Sequence, residues 1–283
     1  MNARLPILTT LAMVAFAANS LLCRAALGEA RIDAASFTTI RLVSGALTLW
    51  LIVRLRGPAH AGRGSWPSAL ALLAYAALFS LAYASLTAAT GALLLFAAVQ
   101  ATMIGHGLRT GERLDGRQWL GLLAAAAGLA ALLWRGLAAP PLSGALLMAG
   151  AGIAWGVYSL RGRGAGDPVL VTAGNFLRAA ALAALLSLAL LTRAHADMPG
   201  IGYAVASGVL ASGVGYAIWY AVLPALRATH AATVQLSVPV IAALGGVLLL
   251  DEPLTPRLAL ASAAILGGIA LVMRDRPRQR TER

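Results

Sequence analysis

Hydrophobic residues occur along this chain in long runs, which are separated by short connections rich in Gly, Pro, Arg and acidic residues. Each run is about 20 residues long, the length at which an α-helix crosses the hydrocarbon core of a bilayer. The runs do not show the short hydrophobic–polar alternation that is typical of half-buried strands. We therefore predict ten membrane-spanning helices, at residues 5–24, 34–54, 66–85, 88–108, 117–134, 142–161, 168–191, 199–222, 229–250 and 256–273.

Two stretches, 91–133 and 231–273, repeat one pattern: an apolar helix, a polar turn and a second apolar helix. At a shift of 140 positions, Glu112 falls on Glu252. An internal repeat outweighs the signal of any single helix, because a fold built from duplicated units is misassigned when the repeat is missed. The domains that we predict are a five-helix unit at 1–136, a second five-helix unit at 137–274 and a cytoplasmic tail at 275–283.

The composition places these helices in a membrane. Of the 283 residues, 60% are hydrophobic and only 11% are charged, whereas a soluble domain has about 25% charged residues. Backbone polar groups in lipid must be satisfied internally, so only helices or closed barrels can span a bilayer. Because the runs have helical length, the predicted fold class is an all-α membrane protein.

The net charge of +12 comes from arginines, and their positions predict the topology. Fifteen of the 22 arginines lie on one set of connections and termini, and five lie on the other. This pattern is typical of membrane orientation and not of nucleic-acid binding. We predict a multi-pass protein of the bacterial inner membrane with both termini in the cytoplasm. Since each unit has five spans, the two units form an inverted repeat, which places a solute site near the midplane.

Aromatic and polar side chains within the spans are candidates for the lining of such a site. Phe79 and Tyr83 are four residues apart and share a helix face, and the repeat relates them to Tyr216 and Tyr220. The residues that we predict to line a central cavity are Phe79, Tyr83, Trp155, Tyr158, Tyr216, Tyr220, Gln235 and Ser237. Aromatic walls with few polar groups suit an amphipathic organic solute. The alternative is that these rings face lipid or only fill helix contacts.

Two local features bear on how the helices pack and move. Pro239 lies within the predicted ninth span, where it removes a backbone donor and frees the carbonyl of Gln235. We predict a hinge at Pro239, because a freed carbonyl at membrane depth is tolerated beside a cavity. Gly152 and Gly156 are four residues apart in the sixth span, and this spacing predicts a close contact with a neighbouring helix.

Arg41 and Arg178 are the charged residues within the predicted spans, and the repeat relates them to each other. A buried guanidinium can bind a substrate carboxylate or helix-end carbonyls, and the structural role is favoured because both units carry it. All ten acidic residues lie at turns, span ends or the tail, so we do not expect coupling to a proton gradient. His106 and His230 have no partners at metal-ligand spacing, and no catalytic motif occurs. We therefore predict no metal, no cofactor and no enzymatic activity.

The turn that follows each repeated apolar helix contains Glu-x-Leu, at Glu112 and Leu114 and again at Glu252 and Leu254. This turn, followed by a helix that ends in small residues with Gly, resembles the drug/metabolite transporter superfamily and most closely its EamA-type families. The resemblance covers nearly the whole chain as two five-helix halves. Within the superfamily, the chain resembles the bacterial YddG-type exporters of aromatic amino acids.

The resemblance implies a secondary transporter, here expected as a monomer in the lipid bilayer, that exports amino acids by alternating access. Aromatic amino acids are the solutes that the resemblance favours, whereas the residues alone support an amphipathic solute. Two alternatives remain open at this point. The chain is an exporter of another metabolite or drug class in the same superfamily, or it is a membrane scaffold that transports nothing.

Overall fold

The structure is a computed structural model that describes residues 4–57, 63–111, 113–134, 139–162, 166–226 and 234–273. Within these ranges the backbone is helical almost throughout, with one isolated antiparallel bridge between Ile32 and Ala196. The helices are α1 (Arg4–Gly28), α2 (Ala34–Arg56), α3 (Trp66–Tyr83), α4 (Ala88–Arg109), α5 (Gly116–Leu133), α6 (Leu142–Arg161), α7 (Pro168–Ala189), α8 (Met198–Ala225), α9 (Ser237–Leu250) and α10 (Pro256–Val272). A 3-10 turn, Leu191–Arg193, follows α7. Glu112, the predicted unit boundary at 136–137, His230 and the predicted tail at 275–283 lie outside the described residues.

Eight of the described helices, α1 to α8, are long and apolar enough to cross a membrane. The helices α9 and α10 are shorter apolar helices of 14 and 17 residues. The surface of the helical bundle exposes large aliphatic side chains, such as Leu47 and Leu55 of α2 and Leu248 of α9, that an aqueous protein would bury. The prediction of an all-helical membrane protein is confirmed, and the bounds of α1 to α8 agree with the predicted spans to within a few residues.

Polar caps determine where most helices begin. The first four amide groups of a helix have no partner within it, and a side-chain oxygen before the first turn can satisfy one of them. The residues whose side chains accept such hydrogen bonds are Asp33, Ser65, Thr87, Asp115, Asp167, Asp197 and Thr255. Each stands between two apolar runs, so the hydrophobic pattern and the caps indicate the same helix starts.

Asp33 also joins two connections at one end of the bundle. Its Oδ1 accepts hydrogen bonds from the backbone amides of Ala35 and Ser36, and its Oδ2 accepts one from the amide of His195 at 3.1 Å. Partial burial acts to raise the pKa of the Asp33 carboxyl, but the hydrogen bonds from Ser36, His195 and Ala35 lower it more, so the pKa lies below its ordinary value. The ionised carboxylate therefore fastens the α1–α2 connection to the α7–α8 connection.

The helices pack as a central bundle with an attached pair. In the bundle, α1 packs against α8 and α9, α6 against α3 and α4, and α2 against α7 and α8, while α3 contacts α7 and α4 contacts α9. Gly152 and Gly156 of α6 lie directly against α4, and a Cβ at Gly156 would lie 2.8 Å from the Cβ of Thr102. The predicted close contact at Gly152 and Gly156 is thereby confirmed.

The attached pair consists of α5 and α10, which make their main contact with each other. Gly121 of α5 faces Gly268 of α10, and a Cβ added at Gly121 would lie 2.5 Å from the carbonyl oxygen of Gly268. About two turns further along α5, Gly128 meets Ala264 of α10. The two backbones can approach this closely because the contact is made of Gly and Ala.

Two helices depart from regular α geometry near the centre of the bundle. Within α8, Ser207–Val214 form a π-helix, an irregularity that is frequent at functional sites. Before α9, the helical pattern is interrupted at Leu236. The predicted ninth span, 229–250, is therefore interrupted at Leu236, three residues before Pro239, while residues 229–233 lie outside the described residues. Pro239 consequently lies in the first turn of α9, where its missing amide costs no helical hydrogen bond.

Candidate functional site

A cavity lies at the centre of the bundle among α1, α2, α3, α4, α6 and α8, beside the turn that precedes α9. Its volume is about 40 Å³, measured for the centre of a water-sized sphere. This space holds a few water molecules and not an amino acid. The wall contains the rings of Phe16, Phe79, Phe96, Trp155 and Tyr216 and the polar side chains of Asn19, Ser20, Arg41, Tyr75, Ser212 and Gln235.

Four of the eight predicted residues line this cavity, namely Phe79, Trp155, Tyr216 and Gln235. The other four, Tyr83, Tyr158, Tyr220 and Ser237, do not form part of its wall. The hydroxyl of Tyr83 donates to the carbonyl of Ala88 at 3.3 Å, so the ring is held against the start of α4. The hydroxyl of Ser237 donates to the carbonyl of Val234 at 2.6 Å and is used within its own helix turn.

Most of the predicted aromatic residues nevertheless belong to one continuous row of rings. We call this row the aromatic column and define it, in order, as Tyr83, Phe79, Tyr75, Trp155, Tyr216 and Tyr220. The centroids of successive rings are 4.7, 5.3, 4.8, 5.5 and 6.2 Å apart. The contacts are tilted or edge-to-face, which is the favoured geometry of aromatic pairs. The column passes along the cavity and ends at Tyr83 on one side and Tyr220 on the other.

Arg41 is the charged group of the cavity wall, and its side chain is only 1% exposed. Its Nε donates to the hydroxyl of Ser212 at 3.2 Å, and its Nη2 donates to the hydroxyl of Tyr75 at 3.2 Å. The guanidinium carbon lies 5.2 Å from the ring centroids of both Tyr75 and Phe79. Within the described part of the chain, its Nη1 is buried without any hydrogen-bond partner.

Arg178, which the repeat relates to Arg41, has a different environment. Its Nη1 donates to the carbonyls of Arg63 at 2.6 Å and Gly174 at 2.8 Å. Its guanidinium lies 5.7 Å from the ring centroid of Trp66. Arg178 therefore fastens the end of one connection to α7, as expected for a structural arginine, whereas the surroundings of Arg41 do not match that expectation.

A second polar network closes the bundle at one end, and we call it the Arg24–Glu252 network. Arg24 Nε lies 2.9 Å from Glu252 Oε1, and the backbone amide of Ala88 donates to Glu252 Oε2 at 2.8 Å. Arg24 also donates from Nη1 to the carbonyl of Tyr83 at 3.3 Å. The Glu252 side chain is only 9% exposed although it belongs to a turn. The network ties α1 and the α9–α10 turn to the end of α3 and the start of α4.

Sequence reasoning overlooked two partners of Arg41, Tyr75 and Ser212. Tyr75 lies one turn before Phe79 on the same helix face, and this spacing was the available signal. The shift of 137 positions that relates Phe79 to Tyr216 also relates Tyr75 to Ser212. Among the residues that the structure describes, no group of three or more His, Cys, Asp or Glu side chains is placed to hold a metal ion.

The apolar surface, the spanning helices and the buried polar cavity together define a multi-pass membrane protein. Residues 142–274 match the EamA-like transporter family. The chain is 59% identical over 271 residues to "Uncharacterized protein PA1977" of Pseudomonas aeruginosa, which covers 95% of this chain and 94% of that protein. It is 39% identical over 80 residues to an "Uncharacterized transporter" of Archaeoglobus fulgidus, which covers 28% of this chain and 29% of that protein.

A solved structure, described only as a crystal structure of a protein, has the same fold. Its TM-score is 0.68 at 22% sequence identity, and the match covers 94% of this chain and 97% of that chain. This likeness concerns the fold alone. Together, the comparisons show an EamA-like transporter family domain at residues 142–274 and a relative that matches nearly the whole chain.

Proposed function

We propose that this transporter is a secondary carrier that exports small amphipathic organic solutes by alternating access around the central cavity. The observation that carries the proposal is the polar wall of that cavity, where Arg41, Asn19 and Gln235 face a space between aromatic rings. Polar groups at membrane depth are costly and mark substrate pathways. A scaffold that transports nothing gains no stability from a buried arginine without a counter-charge.

The architecture that we propose for this carrier is an inverted repeat of the units 1–136 and 137–274. The packing supports it, because exchanging α1–α5 for α6–α10 turns one set of helix contacts into the other. The contact of α1 with α8 becomes that of α6 with α3, and the contact of α1 with α9 becomes that of α6 with α4. The contacts of α2 with α7, α4 with α9 and α5 with α10 become themselves. Such a pattern is expected of two units related by a two-fold axis.

The proposed topology follows from the arginines. Their excess on one set of connections puts both termini and the tail at 275–283 in the cytoplasm of a bacterial inner-membrane protein. In this orientation the Arg24–Glu252 network lies at the outer end of the bundle. Its repeat counterparts in the sequence, Glu112 and Arg163, lie outside the described residues.

Alternating access requires that the cavity enlarge and open, since about 40 Å³ cannot hold an organic solute. We propose that the outer end opens when the Arg24–Glu252 network separates. The irregular backbone beside the cavity, at Ser207–Val214 in α8 and at Leu236 before α9, supplies positions where helices can bend. The hinge proposed at Pro239 is therefore placed at the first turn of α9.

The solutes that we propose are amino acids, including aromatic ones, because the chain resembles the YddG-type exporters and because rings line the cavity. Another metabolite or drug class in the superfamily is the alternative. Phosphorylated sugars fit less well, because several cations are needed for a phosphate group and Arg41 is the cation on the described cavity wall. Since that wall has no Asp or Glu among its described residues, we propose transport without proton coupling.

The test is counterflow of labelled phenylalanine, tryptophan and leucine into proteoliposomes that contain the purified protein. We expect uptake of at least one of them, and we expect it to persist when a protonophore collapses the pH gradient. Trp155→Ala should lower the flux, because its ring lies in the cavity wall, whereas Trp134→Ala should not, because that ring is 75% exposed and distant from the cavity wall. Folded protein that moves none of these solutes argues against amino acid export, and flux abolished by the protonophore refutes the uncoupled mechanism.

A further inference from the structure

We infer that Arg41 binds the carboxylate of the transported solute, and that the site selects monocarboxylates with an apolar or aromatic body whether or not they carry an amino group. This inference rests on the proposed carrier function, which it deepens by naming the chemical class of the substrate. It also assigns different roles to the two arginines that the repeat relates. Arg41 is a binding residue, and Arg178 is a structural one.

The first argument is the missing counter-charge of Arg41. The ion pairs within the described residues involve Arg24 and Arg31, not Arg41. The groups that contact the Arg41 guanidinium are neutral, namely the hydroxyls of Ser212 and Tyr75 and two ring faces. A charge held in a low-dielectric interior without a partner is costly, and ring faces offset only part of that cost. A bound anion supplies the charge that the protein does not.

The second argument is the pair of hydrogen-bond donors that remain beside the cavity. Arg41 Nη1 has no partner among the described residues. The Tyr75 oxygen accepts hydrogen bonds from Arg41 Nη2 and from Asn19 Nδ2, both at 3.2 Å. Because both of those nitrogens can only donate, the phenol proton of Tyr75 stays available for donation. One N–H and one O–H on neighbouring side chains match the two oxygens of a carboxylate.

The third argument concerns the rest of the solute. An ammonium group is bound most strongly by a carboxylate, and the described cavity wall contains no Asp or Glu. The carbonyl oxygen of Asn19 already accepts a hydrogen bond from Ser207 at 2.7 Å. The remaining wall is formed largely by aromatic rings, including Phe16, Trp155 and Tyr216. The site therefore complements a carboxylate on an apolar body and does not depend on an amino group on that body.

The experiment uses three probes with one skeleton: 3-phenylpropionate, its neutral amide 3-phenylpropanamide, and phenylalanine. Each competes with a labelled aromatic carboxylate for counterflow in proteoliposomes, and binding to the same detergent-purified protein is measured by its shift of the melting temperature. For the wild type we expect 3-phenylpropionate to compete about 10- to 100-fold more strongly than the amide, since a charge-assisted hydrogen bond is lost. We expect phenylalanine to compete no better than 3-phenylpropionate.

The matched variants are Arg41→Gln and Arg178→Gln, which remove the two related arginines. The preference for the carboxylate over the amide should fall to about onefold in Arg41→Gln, because only a neutral side chain remains to contact either probe. It should be retained in Arg178→Gln, because Arg178 contacts backbone carbonyls and not the cavity. Size-exclusion chromatography and the melting temperature establish whether each variant is folded.

Several outcomes would overturn the inference. If the wild-type protein binds the amide and the carboxylate equally tightly, the inference is refuted. This result needs no variant, so it holds even if Arg41→Gln does not fold. If a folded Arg41→Gln protein keeps the preference for the carboxylate over the amide, a group other than Arg41 binds the carboxylate. Phenylalanine that outcompetes 3-phenylpropionate would show that the site recognises the amino group, and would refute selection by the carboxylate and the apolar body alone. Binding of 3-phenylpropionate that depends on Arg41, in a protein that transports nothing, would instead refute the carrier function and leave the binding site standing.

Discussion

Replacing Glu252 with Gln tests whether the Arg24–Glu252 network holds closed its end of the bundle, which is the outer end in the proposed topology. The substitution keeps the shape of the side chain and removes its charge. Glu252 accepts one hydrogen bond from Arg24 Nε at 2.9 Å and one from the amide of Ala88 at 2.8 Å. The amide of Gln has a single acceptor oxygen, so one of these two charge-assisted bonds is lost.

The size of the effect follows from this geometry. A hydrogen bond to a charged group contributes about 1.5–3 kcal/mol, and the loss of charge beside the start of α4 adds a few tenths. Partial exposure of Arg24, whose side chain is 25% accessible, reduces the total by screening. We expect Glu252→Gln to destabilise the closed state of this end by about 2 kcal/mol, which corresponds to about a 30-fold rise in the population of the open state.

The assay measures how fast a membrane-impermeant maleimide reaches the cavity. Ser20 lies in the cavity wall one turn from Arg24, so a Ser20→Cys reporter in a Cys23→Ala background reports on the path between them. In right-side-out vesicles, Glu252→Gln should speed labelling of this cysteine by about 30-fold if opening limits the rate. Inside-out vesicles should not show the increase.

The control is the neighbouring carboxylate, Asp251. It is exposed and has a φ angle of 50°, a left-handed conformation that Asn adopts readily. Asp251→Asn removes a charge from the same turn without touching the network, so its labelling rate should match that of the reporter protein. Equal labelling rates in Glu252→Gln and Asp251→Asn would show that the network does not hold this end closed.

Three further predictions concern stability and reactivity. Gly268→Val should lower the stability of the protein in detergent by about 1–3 kcal/mol, because a Cβ at this position would lie 2.7 Å from a backbone nitrogen of α5. Gly267→Val is the control, because a Cβ there would meet open space. Thermal unfolding monitored by fluorescence compares the two variants. Asp33→Asn should lower the melting temperature at neutral pH. Because the pKa of Asp33 is depressed in the folded protein, the stabilisation by its carboxylate is complete above the ordinary carboxyl pKa and is lost as the pH falls through the folded pKa. The melting temperatures of the wild type and the variant should therefore converge in acid. A gap that stays constant with pH would contradict the assignment to the carboxylate. Cys23 is fully buried and should resist water-soluble maleimides in the native protein, and mass spectrometry of the labelled chain tests this.

The positions of the helices could be predicted because two independent signals coincide in this chain. At α7, the Asp-Pro pair before the apolar run marks the start, and the helix begins at Pro168 as predicted. At α9 the apolar run continues without a break in the sequence, but the structure interrupts the helix at Leu236. Hydrophobicity alone carries no information about such an interruption, because both sides of it are equally apolar.

The rotation of each helix was harder to predict. In a helix that is apolar on every side, the hydrophobic pattern does not distinguish the face toward lipid from the face toward a neighbour. Tyr75 was therefore overlooked beside Phe79, although both line the cavity. The repeat relates Arg41 to Arg178, but Arg178 donates to the carbonyl of Arg63, whereas Arg41 Nη1 has no partner among the described residues.

The aromatic column has a mechanical consequence for the carrier that we propose, because such a carrier must not let solute leak freely through the membrane. Its rings touch one another from Tyr83, which carries a carbonyl bonded to Arg24, to Tyr220 on the far side of the cavity. A solute that enters between Trp155 and Tyr216 displaces the rings on both sides of it. Close-packed rings respond by moving to a new position, because they cannot be compressed. In the proposed carrier, the column therefore couples movement at its Tyr83 end to movement at its Tyr220 end through the bound solute.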